Sequence, residues 1–60
     1  MDGDTIYKGY TIRPIGIERM PNGMRLKTYA VSNKDGNGVA KAWGMTEAKA
    51  IVNADIRGEL

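Results

Sequence analysis

The chain contains no cysteine and no histidine. Without them, disulfides cannot staple the core, and the commonest metal ligand and general base are both missing. The lack of cysteine fits a reducing compartment. No apolar run approaches the roughly 20 residues that a membrane-spanning helix needs. The opening Met1-Asp-Gly-Asp4 is acidic and lacks the basic start and apolar core of a signal peptide. These absences set the expectation of a cytoplasmic protein with no membrane partner. At 60 residues the chain is one small domain, 1–60, with 1–4 expected to fray. A domain this size buries only about 60% of its unfolded surface, so its stability is modest.

Catalytic groupings are scarce as well. Ser32 is the only serine and has no histidine to activate it. Asp2 and Asp4 form a carboxylate pair in the lead-in with no pocket around them. Asp35, Asn37 and their neighbouring glycines lack the alternating ligands and the distal glutamate of a calcium loop, so they read as a turn. The glycines there precede a strand and not a helix, which rules out a phosphate loop. The expectation is a protein without enzymatic activity, cofactor or metal.

What remains is dominated by a helix at the C-terminal end. Thr46 to Leu60 reads as one: Thr46 is placed to cap it, Glu47 suits the positive end of its dipole and Arg57 the negative end. Ala48, Ile51, Val52 and Ile56 recur at spacings of three and four and form an apolar stripe, and Gly58 marks the stop. So short a helix is marginal alone in water, and its stripe must pack on something.

The preceding segments supply that surface. Thr5 to Arg13 has strand composition, with Gly9 signalling a bulge or a tight turn that splits off a short edge segment. Pro14 cannot donate to a ladder, so this strand is expected at an edge or bent there, with Ile15 to Met20 continuing it irregularly. Pro21-Asn22-Gly23 is a turn; Met24 to Ser32 is a second strand. Asn33 to Gly38 is a polar loop, and Val39 to Gly44 is a third strand leading into the helix. The predicted fold is α+β: a three-stranded antiparallel β-sheet packed on one C-terminal α-helix, in the order β-β-β-α.

Alternation divides strands two and three into two sets. Met24, Leu26, Thr28 and Ala30, with Ala40, Ala42 and Gly44, carry no charge and are expected to face the helix, joined by Ile12 and Tyr10. Arg25, Lys27, Tyr29 and Val31, with Val39, Lys41 and Trp43, are then left on the open face. The competing assignment buries Tyr29, Val31, Val39 and Trp43 while Lys27 and Lys41 extend to water.

Charge follows the same division. The net charge is only +2, but Tyr7 to Trp43 holds seven basic residues against two acidic ones, while Thr46 onward is slightly acidic. On the expected open face Arg25, Lys27, Lys41, Tyr29 and Trp43 gather, with Arg13 nearby. Cations interleaved with aromatics neutralise phosphates and stack on bases, and exposed aromatic rings also anchor protein interfaces.

Tyr7-Lys-Gly-Tyr-Thr-Ile12, the strand with Tyr29 and Val31, and Thr46-Glu-Ala-Lys-Ala-Ile51 together resemble small phage and prophage proteins. Those proteins carry an early Tyr-x-Gly-Tyr-x-Ile and a final helix opening with Glu-Ala-Lys. The resemblance covers most of the chain and implies a fold more than an activity. In architecture the chain also resembles the sheet-plus-helix DNA-binding domains of phage integrase N-termini and plant ethylene-response factors. Their sheets lie in the major groove, and the resemblance implies such parts for Arg25, Lys27, Lys41 and Trp43, although this chain has fewer arginines and less net charge. Two functions follow as expectations: a nucleic-acid-binding module using Arg13, Arg25, Lys27, Tyr29, Lys41 and Trp43, or a protein-interaction module that forms a homodimer through the same face or a strand edge.

Overall fold

A computed structural model of the chain describes residues 3–59. Thr5–Tyr7 (β1), Tyr10–Arg19 (β2), Arg25–Ser32 (β3) and Gly38–Trp43 (β4) precede the helix Met45–Ile56 (α1). The strands form one antiparallel sheet in the order β1-β2-β3-β4, with each strand paired only to its sequence neighbours. The α+β class, the antiparallel sheet and the single C-terminal helix are as expected. The number of strands is not: the sheet has four, because the segment expected as one strand from Thr5 is cut in two. Lys8 and Gly9 both have positive φ, 53° and 85°. This is the two-residue hairpin conformation whose twist matches the flanking strands, and it sets Tyr7 opposite Tyr10. Of the loose lead-in expected over 1–4, residues 1 and 2 lie outside the described residues.

β2 is therefore an interior strand, and Pro14 does not mark an edge. It marks a bend. The β1–β2 ladder stops at Thr5 opposite Ile12, so Pro14 lies beyond it, and the ladder to β3 slips between Pro14 and Gly16, leaving Ile15 as the extra residue. The other hairpin loops share one geometry. Gly23 N–H donates to Met20 C=O (2.9 Å) and Met20 N–H to Met24 C=O (2.7 Å); Gly36 N–H and Asn33 N–H repeat the pattern on Asn33 C=O and Asn37 C=O. The segment from Asn33 is a turn, as expected, in which the Asn33 side-chain oxygen accepts from the Asp35 and Asn37 amides.

α1 begins at Met45, one residue before the expected Thr46 cap. Among the described residues no side chain caps the amides of its first turn, but Glu47 reaches back to accept the Trp43 N–H at 2.7 Å. Its end is as the sequence implies. Gly58, at φ 75°, donates to Asp55 C=O and Glu59 N–H to Ala54 C=O, the paired bonds of a left-handed helix stop. The helix ends at Ile56, short of the expected Leu60, because the stop at Gly58 closes it; Leu60 itself lies outside the described residues.

The core consists of Ile12, Val31, Ala42, Ala48 and Val52, with Tyr7, Tyr10, Tyr29, Val39, Met45 and Ile51 around it. Ile12, Tyr10, Ala42 and Ala48 meet the expectation. Ile56 does not: it is 52% exposed and leaves the buried stripe.

The face of β3 is also inverted. Val31 pairs with Ala40 and Tyr29 with Ala42, so the odd-numbered residues of β3 share the helix side with the even-numbered residues of β4. Leu26, Thr28 and Ala30 lie on the open face with Lys41 and Trp43 instead. The cause is one residue. Ser32 pairs with Gly38, and an unbroken ladder from that pair would have matched even with even. An irregularity between Val31 and Ser32 leaves Val39 unpaired and shifts every later pair by one.

Candidate nucleic-acid interface

The inverted register distributes the expected site residues over both faces. Arg13, Ala30 and Lys41 lie in one row across the open face, and Trp43 is two residues beyond Lys41. Arg25, Lys27 and Tyr29 lie on the helix side. Lys27 is therefore not beside Trp43, and the six residues do not form one cluster.

On the open face the cations are already engaged. Glu18, from β2, reaches diagonally over β3 to accept from Lys41 Nζ at 2.6 Å and from Trp43 Nε1 at 3.0 Å. The Lys41 ammonium also stands 5.1 Å from the Trp43 ring centroid. Lys41 first, and then Trp43, hold the Glu18 carboxyl below its ordinary pKa. Arg13 donates to Asp4 from Nε at 3.2 Å and from Nη2 at 3.0 Å. That hydrogen bond lowers the Asp4 pKa and raises that of Arg13. Beneath this layer Thr28, flanked in the sheet by Gly16 and Trp43, is 2% exposed. The open face is close to neutral and keeps two apolar groups in solvent, Trp43 (39% exposed) and Ile6.

The helix side is organised differently at its two ends. Near the β1–β2 turn the helix is tied down: Lys8 Nζ donates to Asn53 Oδ1 at 2.7 Å and the Tyr10 hydroxyl donates to Asp55. The bond to Asp55 stabilises the neutral phenol and raises its pKa. Lys49 stands over the Tyr7 ring.

At the other end the sheet outruns its cover. Trp43, the last residue of β4, pairs with Thr28, so Ile17–Arg19 and Arg25–Lys27 continue as a two-stranded ribbon beyond the end of β4. Alternation places Ile17, Arg19, Arg25 and Lys27 together on the helix side of this ribbon, all exposed. Arg19 and Arg25 are directly opposite each other. Among the described residues neither arginine nor Lys27 makes a side-chain hydrogen bond or ion pair.

Thus Arg25 and Lys27 reach solvent although their strand face is the buried one, because the helix does not extend over them. Arg19 and Ile17 were not expected in the site. The signal for Arg19 was available: a five-residue loop, 20–24, makes 19 and 25 the closing pair of the hairpin. No protein-family model matches this chain, and no curated protein or solved structure does either.

Proposed function

We propose that this chain is a non-enzymatic binding module that holds the phosphate backbone of nucleic acid against the helix side of its β2–β3 ribbon. One observation carries the reading: Arg19, Arg25 and Lys27 stand together on one face with no acidic partner among the described residues. Like charges directly opposite in a sheet repel, and an anion laid across them removes that penalty. The site differs from the one expected from sequence by losing Arg13, Tyr29, Lys41 and Trp43 and gaining Arg19 and Ile17.

The salt dependence of binding to a labelled DNA duplex tests it. Each phosphate-contacting cation contributes about 0.9 to the slope of log affinity against log salt, so Arg25→Ala and Lys27→Ala should each flatten it by about one unit. Lys41→Ala should leave the slope unchanged, because that lysine is committed to Glu18 on the other face. No binding at low salt, or a slope that responds to Lys41 and not to Arg25, refutes the assignment.

The open face supports a second reading, a protein interface. Its cations are neutralised internally, which removes the attraction for phosphate, while Trp43 and Ile6 remain exposed as apolar anchors. A second copy of the chain is the simplest partner. Light scattering should then report a dimer that Trp43→Ala dissociates.

A further inference from the structure

Phosphate contacts account for the cations of the ribbon but not for its tip. The loop Met20-Pro21-Asn22-Gly23-Met24 carries no charge, yet Arg19 and Arg25 flank it on both strands. Pro21 is exposed, Met24 is 57% exposed and Ile17, on the cationic face, 64%. The loop is also stiff. Its two backbone bonds are joined by one from Met24 N–H to Asn22 Oδ1 at 3.0 Å, and proline fixes the first corner. A rigid tip surrenders little conformational entropy on insertion.

Aromatic placement decides which form of nucleic acid suits it. Single strands are held by stacking on exposed rings. Here Tyr29 packs against the core, and Trp43 is on the opposite face, bound to Glu18. Duplex is the form that a ribbon of cations with an apolar end fits. Arginines are drawn to the negative potential of a narrow minor groove, and apolar side chains such as proline, methionine and isoleucine part its base steps.

Resting on the phosphate-binding reading, we propose that the β2–β3 tip enters the minor groove of duplex DNA and bends it, Pro21 and Met24 acting as the wedge while Arg19 and Arg25 hold the phosphates on either side.

Energy transfer between dyes at the ends of a duplex of about 25 base pairs, far shorter than the DNA persistence length, reads the bend directly. Wild-type protein should bring the ends together, and netropsin, which occupies the minor groove, should displace it. Met24→Ser, which leaves the turn intact, should lose much of the bend, and Pro21→Ala with Met24→Ser nearly all of it. Affinity should fall less than about tenfold in both, since the phosphate contacts remain. A straight duplex in the wild-type complex, an unchanged bend in both variants, or binding indifferent to netropsin overturns the wedge while leaving the phosphate-binding reading in place. If the wild-type protein ignores duplex at low salt but binds anionic vesicles, and Met24→Ser releases it from them, the tip is a lipid anchor and both readings fall.

Discussion

Val52 and Ile56 are four residues apart on α1 and look equivalent in the sequence, but replacing each by alanine should have very different effects. Val52 is fully buried against Ile12, Val31 and Ala42. Val52→Ala removes two carbons from the core, about 1.6 kcal/mol of transfer free energy at about 0.8 per carbon. The residual cavity raises the loss to about 2–3 kcal/mol. Ile56 is half exposed, so its three lost carbons return only about 1 kcal/mol of burial, and the better helix propensity of alanine offsets about 0.4 of that. At roughly 0.05–0.15 kcal/mol per residue, a chain of this length has about 3–9 kcal/mol in all. Val52→Ala therefore threatens the fold, and Ile56→Ala does not. In urea, with a slope of about 1 kcal/mol/M, the midpoint should drop by about 2–3 M for Val52→Ala and by less than about 1 M for Ile56→Ala. Equal losses, or a larger one at Ile56, would mean that α1 is rotated about its axis from the orientation described, and the assignment of the core would fail with it.

Gly58→Ala forces a Cβ into the left-handed conformation that closes the helix and should cost about 1 kcal/mol by urea unfolding. Glu18→Gln should flatten the acid limb of stability. The depressed Glu18 pKa contributes stability that is present above the ordinary glutamate value and lost as pH falls through the depressed one. Trp43 fluorescence should report the same protonation in the wild type, with a midpoint below the usual glutamate range, and lose it in the variant. Tyr10→Phe acts at the other extreme. The raised phenol pKa contributes stability that is present below the ordinary tyrosine value and lost as pH rises through the raised one. Wild-type melting temperature should therefore fall above about pH 10 more steeply than that of the variant.

The helix, its stop at Gly58 and the turns at Pro21 and Asn33 were legible because each depends on residues within one local segment. The faces of β3 were not. Arg25 and Lys27 alternate with Leu26 and Thr28, and the cost of burying charge puts the charged pair on the open face only where the helix covers the whole sheet. It covers only part, so Tyr29 and Val31 are shielded while Arg25 and Lys27, on the same side, stay wet. Val39 is the second cause. A single unpaired residue flips the register, and nothing in the composition of Val39-Ala-Lys-Ala-Trp43 announces it. The open-face half of the expected site failed for another reason. Lys41 and Trp43 do meet there, but Glu18, remote in sequence, satisfies both.

The simple order of the sheet has a consequence for how the chain reaches its fold. Each strand pairs only with its neighbours, the connections are a two-residue turn and two five-residue loops, and the helix follows β4 after a single residue. No crossover must be closed before the ladder gains anything, and loop-closure entropy stays small at every step. Contacts this local belong to the faster end of sheet-containing domains, where single-exponential folding completes within milliseconds. The β2–β3 hairpin is the longest ladder and the natural nucleus. Docking of α1 onto Ile12 and Val31, the longest excursion in sequence, comes last, so substitutions at Val52 should speed unfolding and leave the folding rate almost unchanged.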